Sequence, residues 1–172
     1  MTTTAIEERL AEIGRRIDQL DARAGAGAAG AKSQIQRHLD TLRHGVSKYP
    51  DAVEDKLRQL EIKLDIAEHR LASEFADDPR TFGDAVQAEL HDWDTYLEWL
   101  QVGAATKAQA GSPREQIEAA IRELRRHRNT LAERLAEVGA ASGGAWRERK
   151  KRLAAAREEL ERKVDELSAK FD

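Results

Sequence analysis

Apolar and small residues recur along this chain at steps of three and four. From the N-terminus they are Ile6, Leu10, Ile13, Ile17, Leu20, Ala24, Gly27, Ala31, Ile35, Leu39, Leu42 and Val46. A mean step of about 3.6 places them on one face of a helix. A second series runs Ile117, Ile121, Leu124, Arg128, Leu131, Leu135, Val138, Ser142, Trp146, Arg149, Leu153, Ala156, Leu160, Val164, Leu167 and Phe171. Its mean step is also about 3.6, between the 3.5 and 3.67 that impose supercoils of opposite hand, so long and nearly straight helices are expected.

Capping chemistry divides the chain. A side-chain oxygen at a helix start accepts an orphan amide hydrogen, and a carboxylate three residues on reaches back. Thr4 to Glu7 fits, as do Asp51 to Glu54 after Pro50 and Ser112 to Glu115, which adds Pro113 at the first helical position. Thr81 to Asp84 fits less well. Punctuation at Tyr49-Pro50, 76–80 and Gly111 completes the division. The prediction is an all-α antiparallel bundle or coiled coil of four helices, at about 4–49, 51–76, 81–108 and 113–171.

Two small-residue stretches, "RAGAGAAGAK" at 23–32 and "GAASGGAW" at 139–146, interrupt the long helices in composition but not in phase. A loop normally loses the phase, so continuous helix is favoured, against a cost of about 1 kcal/mol for each interior glycine. With helices running up, down, up, down, both stretches fall where a four-helix head (about 25–140) thins to a two-helix stalk. In that stalk 1–24 pairs with 141–172, and the whole is one elongated domain, 1–172.

Composition agrees with long helices. Of the 172 residues 35% are charged and only 5% aromatic, which limits what each side chain buries and favours extended contact over a thick core. The formal net charge of −3 names no partner. Without cysteine there are no disulfides or thiolate sites. The N-terminus lacks a basic start followed by an apolar run, and no apolar segment is long enough to span a bilayer, so a cytoplasmic location is expected.

The sequence offers three candidate chemistries. Histidines on a helical bundle raise a di-metal centre, but no His has Glu three residues before it. His91, Asp94 and Glu98 share a stripe of the third helix and are the weak metal candidates, although a solvated face explains them better; no metal or other cofactor is expected. Trp93, Tyr96 and Trp99 form the densest aromatic segment, suited either to a core or to an interface. Eight acidic residues and one basic lie between Glu74 and Trp99, whereas Arg147, Arg149, Lys150, Lys151 and Arg152 concentrate positive charge and are candidates for anion binding.

No phosphate loop or nucleophile elbow is present in the sequence, and no small-molecule substrate is inferred. The expected function is a non-enzymatic helical scaffold or protein-protein interaction module that associates with a second copy or another helical protein. The alternative is binding of nucleic acid or an anionic membrane surface through the basic fourth helix, and a metal-binding bundle comes third. Because the fourth helix would overhang the first, Leu160, Val164, Leu167 and Phe171 are expected to form an exposed stripe that makes a homodimer.

Overall fold

The computed structural model describes residues 2–24, 50–109, 114–141 and 144–171. These form α1 (Thr3–Ala24), α2 (Pro50–Glu74), α3 (Pro79–Gln109), α4 (Arg114–Gly139) and α5 (Ala145–Phe171), and no strand occurs among them. The all-α expectation holds. The chain divides into two compact units, Met1–Leu71 and Ala72–Asp172.

In the first unit α1 and α2 share a heptad seam. Ile6, Leu10, Ile13 and Ile17 cluster with Val53, Leu57, Leu60 and Leu64, every one nearly inaccessible to solvent. The steps are four, three and four on both helices, as a coiled-coil seam requires. Each such side chain contributes roughly 1.5–3 kcal/mol on burial. The guanidinium of Arg9 grips the Glu61 carboxylate with two bonds of 2.7 Å. Arg16 reaches Glu68 at 2.9 and 3.0 Å and Asp65 at 2.5 Å.

Both Arg–Glu pairs are separated by 52 residues, so numbers rise together and the helices run parallel. In heptad terms Arg9 and Arg16 precede the seam residues Leu10 and Ile17, Glu61 follows Leu60, and Glu68 lies one heptad beyond Glu61, the flanking positions that set register. This corrects the expected architecture. Residues 3–24 lie beside α2 and do not project past it as a stalk. The first glycine stretch, Gly25 to Gly30, lies outside the described residues.

The second unit is a three-helix bundle. Arg128 of α4 pairs with Asp94 of α3 at 2.8 Å, and Arg125 bonds to Gln101, so higher numbers meet lower ones and α3 and α4 are antiparallel. Lys163 of α5 meets Glu123 of α4 at 3.1 Å, while Arg149 meets Glu137, so α4 and α5 are antiparallel too. α3 and α5 therefore run parallel. Phe82, Val86, Leu90, Trp93 and Leu97 of α3 are buried, as are Ile117, Ile121, Leu124, Leu131 and Val138 of α4 and Leu153, Leu160, Val164 and Leu167 of α5.

The helix predicted over 113–171 is thus two antiparallel helices, one ending at Gly139 and the next beginning at Ala145. The chemistry of the reversal is visible at the end of α4. Ala141 N–H turns back to the Val138 carbonyl at 3.1 Å, a three-residue step that tightens the last turn. The Glu137 carbonyl, which a continuing helix would pair with residue 141, accepts instead from Arg149 Nη1 at 2.7 Å.

The start of α3 also differs from the prediction. Asp78, not Thr81, is the cap: its Oδ1 accepts the Thr81 N–H at 2.9 Å and its Oδ2 accepts the Thr81 hydroxyl at 2.7 Å. Pro79 then occupies the first helical position, where a missing N–H costs nothing. Those two bonds, backbone first, hold the Asp78 carboxyl below the usual carboxylate range. At α1 the cap is Thr2, whose Oγ1 accepts the Ala5 N–H at 3.2 Å, two residues before the predicted Thr4.

Candidate functional site

The seam of α5 reads Leu153, Arg157, Leu160, Val164 and Leu167, a strict four-three heptad with an arginine in it. On α3, Glu89 holds the equivalent place between Val86 and Trp93. The two meet in the interior, with side-chain exposures of 4% for Arg157 and 0% for Glu89. Arg157 Nε donates to both Glu89 oxygens at 2.9 and 3.1 Å, and Nη2 donates to Oε2 at 2.8 Å. Nη2 also donates to Ser73 Oγ at 3.0 Å, and the Trp93 indole N–H lies 3.5 Å from Glu89 Oε1. Ser73 is fully buried, so the nitrogen it shares with Glu89 is satisfied on both of its N–H groups within the interior.

A forked guanidinium on a carboxylate is the strongest common ion-pair geometry. In low dielectric its attraction offsets a desolvation penalty of several kcal/mol per ion, so the net gain over an apolar core is small. What the pair supplies is direction. Only one placement of α5 on α3 brings Arg157 to Glu89 and Ser73 together; any other leaves a buried charge without a partner.

The aromatic segment is split between core and surface. Trp93 and Tyr96 are buried and meet edge to face at 5.9 Å between centroids. Tyr96 and Trp99 follow at 5.7 Å with a 35° tilt. Steps of three fall short of a helical turn by about 60°, so the track winds around α3 as it advances. Trp99 is half-buried, and Val102, the next step, is 78% exposed.

Of the metal candidates, His91 and Glu98 are exposed and the Asp94 carboxylate is engaged by Arg128. Among the described residues no three His, Cys, Asp or Glu side chains are grouped as a metal site would need. Nor do the five basic residues form one face. Arg149 caps α4, and Lys150 Nζ sits 4.8 Å from the Phe82 ring centroid and 4.5 Å from that of Trp146. Phe82 and Trp146 themselves stand edge to face at 6.1 Å. Arg147, Lys151 and Arg152 are exposed.

The C-terminal stripe is covered. Leu160, Val164 and Leu167 are at most 7% exposed, because α5 folds back along α4 and does not overhang it. The side chain of Phe171 lies outside the described residues. Reading from sequence missed Glu89, Ser73 and Arg157. The available signal was the four-three spacing from Leu153 through Arg157 to Leu160, which the straight-helix series had placed on Ala156.

Comparison with protein families, curated proteins and solved structures finds no match to this chain. No described helix is long and apolar enough to cross a membrane.

Proposed function

We propose that the chain is a non-enzymatic helical interaction module that pairs with other helices, its own second copy first among them. The observation that carries this reading is the aromatic track on α3, which begins in the core at Trp93 and ends on the surface at Val102. An apolar path continuous with the core gives a partner helix a rigid, already ordered platform, at lower entropic cost than a mobile patch. Sedimentation equilibrium of the full chain tests it: mass should rise with concentration, and Val102→Asp should suppress the rise. A chain that stays monomeric into the high micromolar range and retains no helical partner overturns the reading.

Exposure of Arg147, Lys151 and Arg152 near the start of α5 favours a second reading, binding of phosphates on nucleic acid or an anionic lipid surface. Its test is retention on heparin at low salt, lost on replacing these three by Gln; flow-through at low salt overturns it.

A further inference from the structure

Ile117 and Leu153 are 36 residues apart, and 36 residues make ten turns of an α-helix. The same interval relates Ile121 to Arg157, Leu124 to Leu160, Arg128 to Val164 and Leu131 to Leu167. The seam positions of α4 and α5 would therefore lie on one face if the chain between them were helical. That intervening sequence, Ala-Ala-Ser-Gly-Gly, contains no proline and nothing bulky. The closed arrangement is held near the reversal by Arg149 on the Glu137 carbonyl and by Lys150 on Phe82 and Trp146.

We infer that α5 is an exchangeable element: two copies of the chain open at 140–144, α4 and α5 fuse into one long helix, and each α5 packs into the other copy's bundle. The inference rests on the interaction-module reading and names its partner and segment. Apart from the Arg149 cap at the reversal, the contacts of α5 in the closed form are recreated between copies, because the receiving surface is the same. Arg157 specifies the docking, since it must find a Glu89 and a Ser73 whichever copy supplies them. Leu160, Val164 and Leu167 then bury against the second copy. The fused helix gives up the Arg149 cap and regains the regular bond to the Glu137 carbonyl.

Charge reversal on full-length chains provides the test. Glu89→Arg alone and Arg157→Glu alone each set like charges against one another, in a closed chain and in an exchanged homodimer alike. Denatured together and refolded, the two variants satisfy both sites only by exchange, since each copy's residue 157 meets the opposite charge at residue 89 of the other. The expected result is a heterodimer by native mass spectrometry, with a cooperative melt that neither variant shows alone. No rescue on mixing, or rescue that survives Ala145→Pro in both copies, overturns the proposal. Proline suits the first position of α5 but removes a bond and clashes inside a fused helix.

Hinge variants of the otherwise native chain give a second measurement. A Cβ added at Gly144 meets nothing within 4 Å, so Gly144→Ala leaves the closed form unstrained. It favours helical backbone there by about five-fold and should raise the dimer fraction accordingly. Ala145→Pro should abolish that dimer. Equal dimer fractions in the native chain and both variants overturn the proposal. Adding Val102→Asp separates the two readings: exchange persists without the surface track, whereas association through the track does not.

Discussion

The two units use the same ion pair, arginine on glutamate, in opposite places. In the first, Arg9–Glu61 and Arg16–Glu68 flank an apolar seam, with the arginine side chains 25% and 19% exposed. In the second, Arg157–Glu89 is part of the seam and almost wholly buried. Flanking pairs keep access to water, so they adjust register at small energetic consequence in either direction. A pair inside the seam is near neutral when whole and very costly when halved. The first unit is thus held by its apolar residues and tuned by charge, and the second is also policed by charge from within.

The largest expected effect separates these roles directly. Glu89→Leu strands the Arg157 guanidinium in the core and should cost about 3–5 kcal/mol in urea unfolding. The double variant Glu89→Leu with Arg157→Met removes both charges and should recover to near the native value or exceed it by about 1–4 kcal/mol. A double variant as unstable as the single one would mean that the pair itself, and not its matching, stabilises the bundle.

In the first unit the same question falls on apolar residues. Ile13→Ala or Leu57→Ala opens a cavity in the seam and should cost about 2–5 kcal/mol by the same measurement. Losses below about 1 kcal/mol would show that the seam collapses around the cavity and that the flanking charges carry most of the stability of the first unit.

How far the sequence disclosed this contrast depends on the residue. The α1 stripe was legible because Ile6, Leu10, Ile13, Ile17 and Leu20 are strongly apolar at regular steps, and all five are buried. The reversal after Gly139 was not, since an interval of ten helical turns gives a hairpin and a straight helix the same apolar phase. Arg157 was hidden for a related reason: a 3.6 step selects Ala156, and only the local four-three frame selects its neighbour. The parallel course of α1 and α2 rests on charges 52 residues apart, a distance over which helical periodicity carries no information.

Flanking charges should give smaller and salt-sensitive effects. Arg16 bridges both Asp65 and Glu68, and those partners, Glu68 first, raise the pKa of its guanidinium, which stays charged throughout. Arg16→Ala should cost about 1 kcal/mol at low salt, and the loss should shrink as ionic strength rises and the Debye length falls. Arg16→Lys keeps the charge but not the fork, and should recover only part. A loss independent of salt would assign the effect to packing of the arginine stem.

The smallest expected effect comes from Asp78, whose carboxylate is exposed at the start of α3 and outside either seam. Its folded-state pKa is lowered, first by the backbone hydrogen bond from Thr81 and then by the Thr81 hydroxyl. A lowered value means that the stabilisation is fully present above the pKa of the unfolded chain and is lost as pH falls through the folded one. The melting temperature of the native chain should therefore exceed that of Asp78→Ala at neutral pH, and the gap should narrow on acidification below the ordinary aspartate range. Asparagine can still accept the Thr81 N–H without a charge, so Asp78→Asn should lie between the two at neutral pH and show no such narrowing. If Asp78→Asn matches the alanine variant at every pH, the bond from Thr81 contributes nothing, and the proline at the next position alone sets where α3 begins.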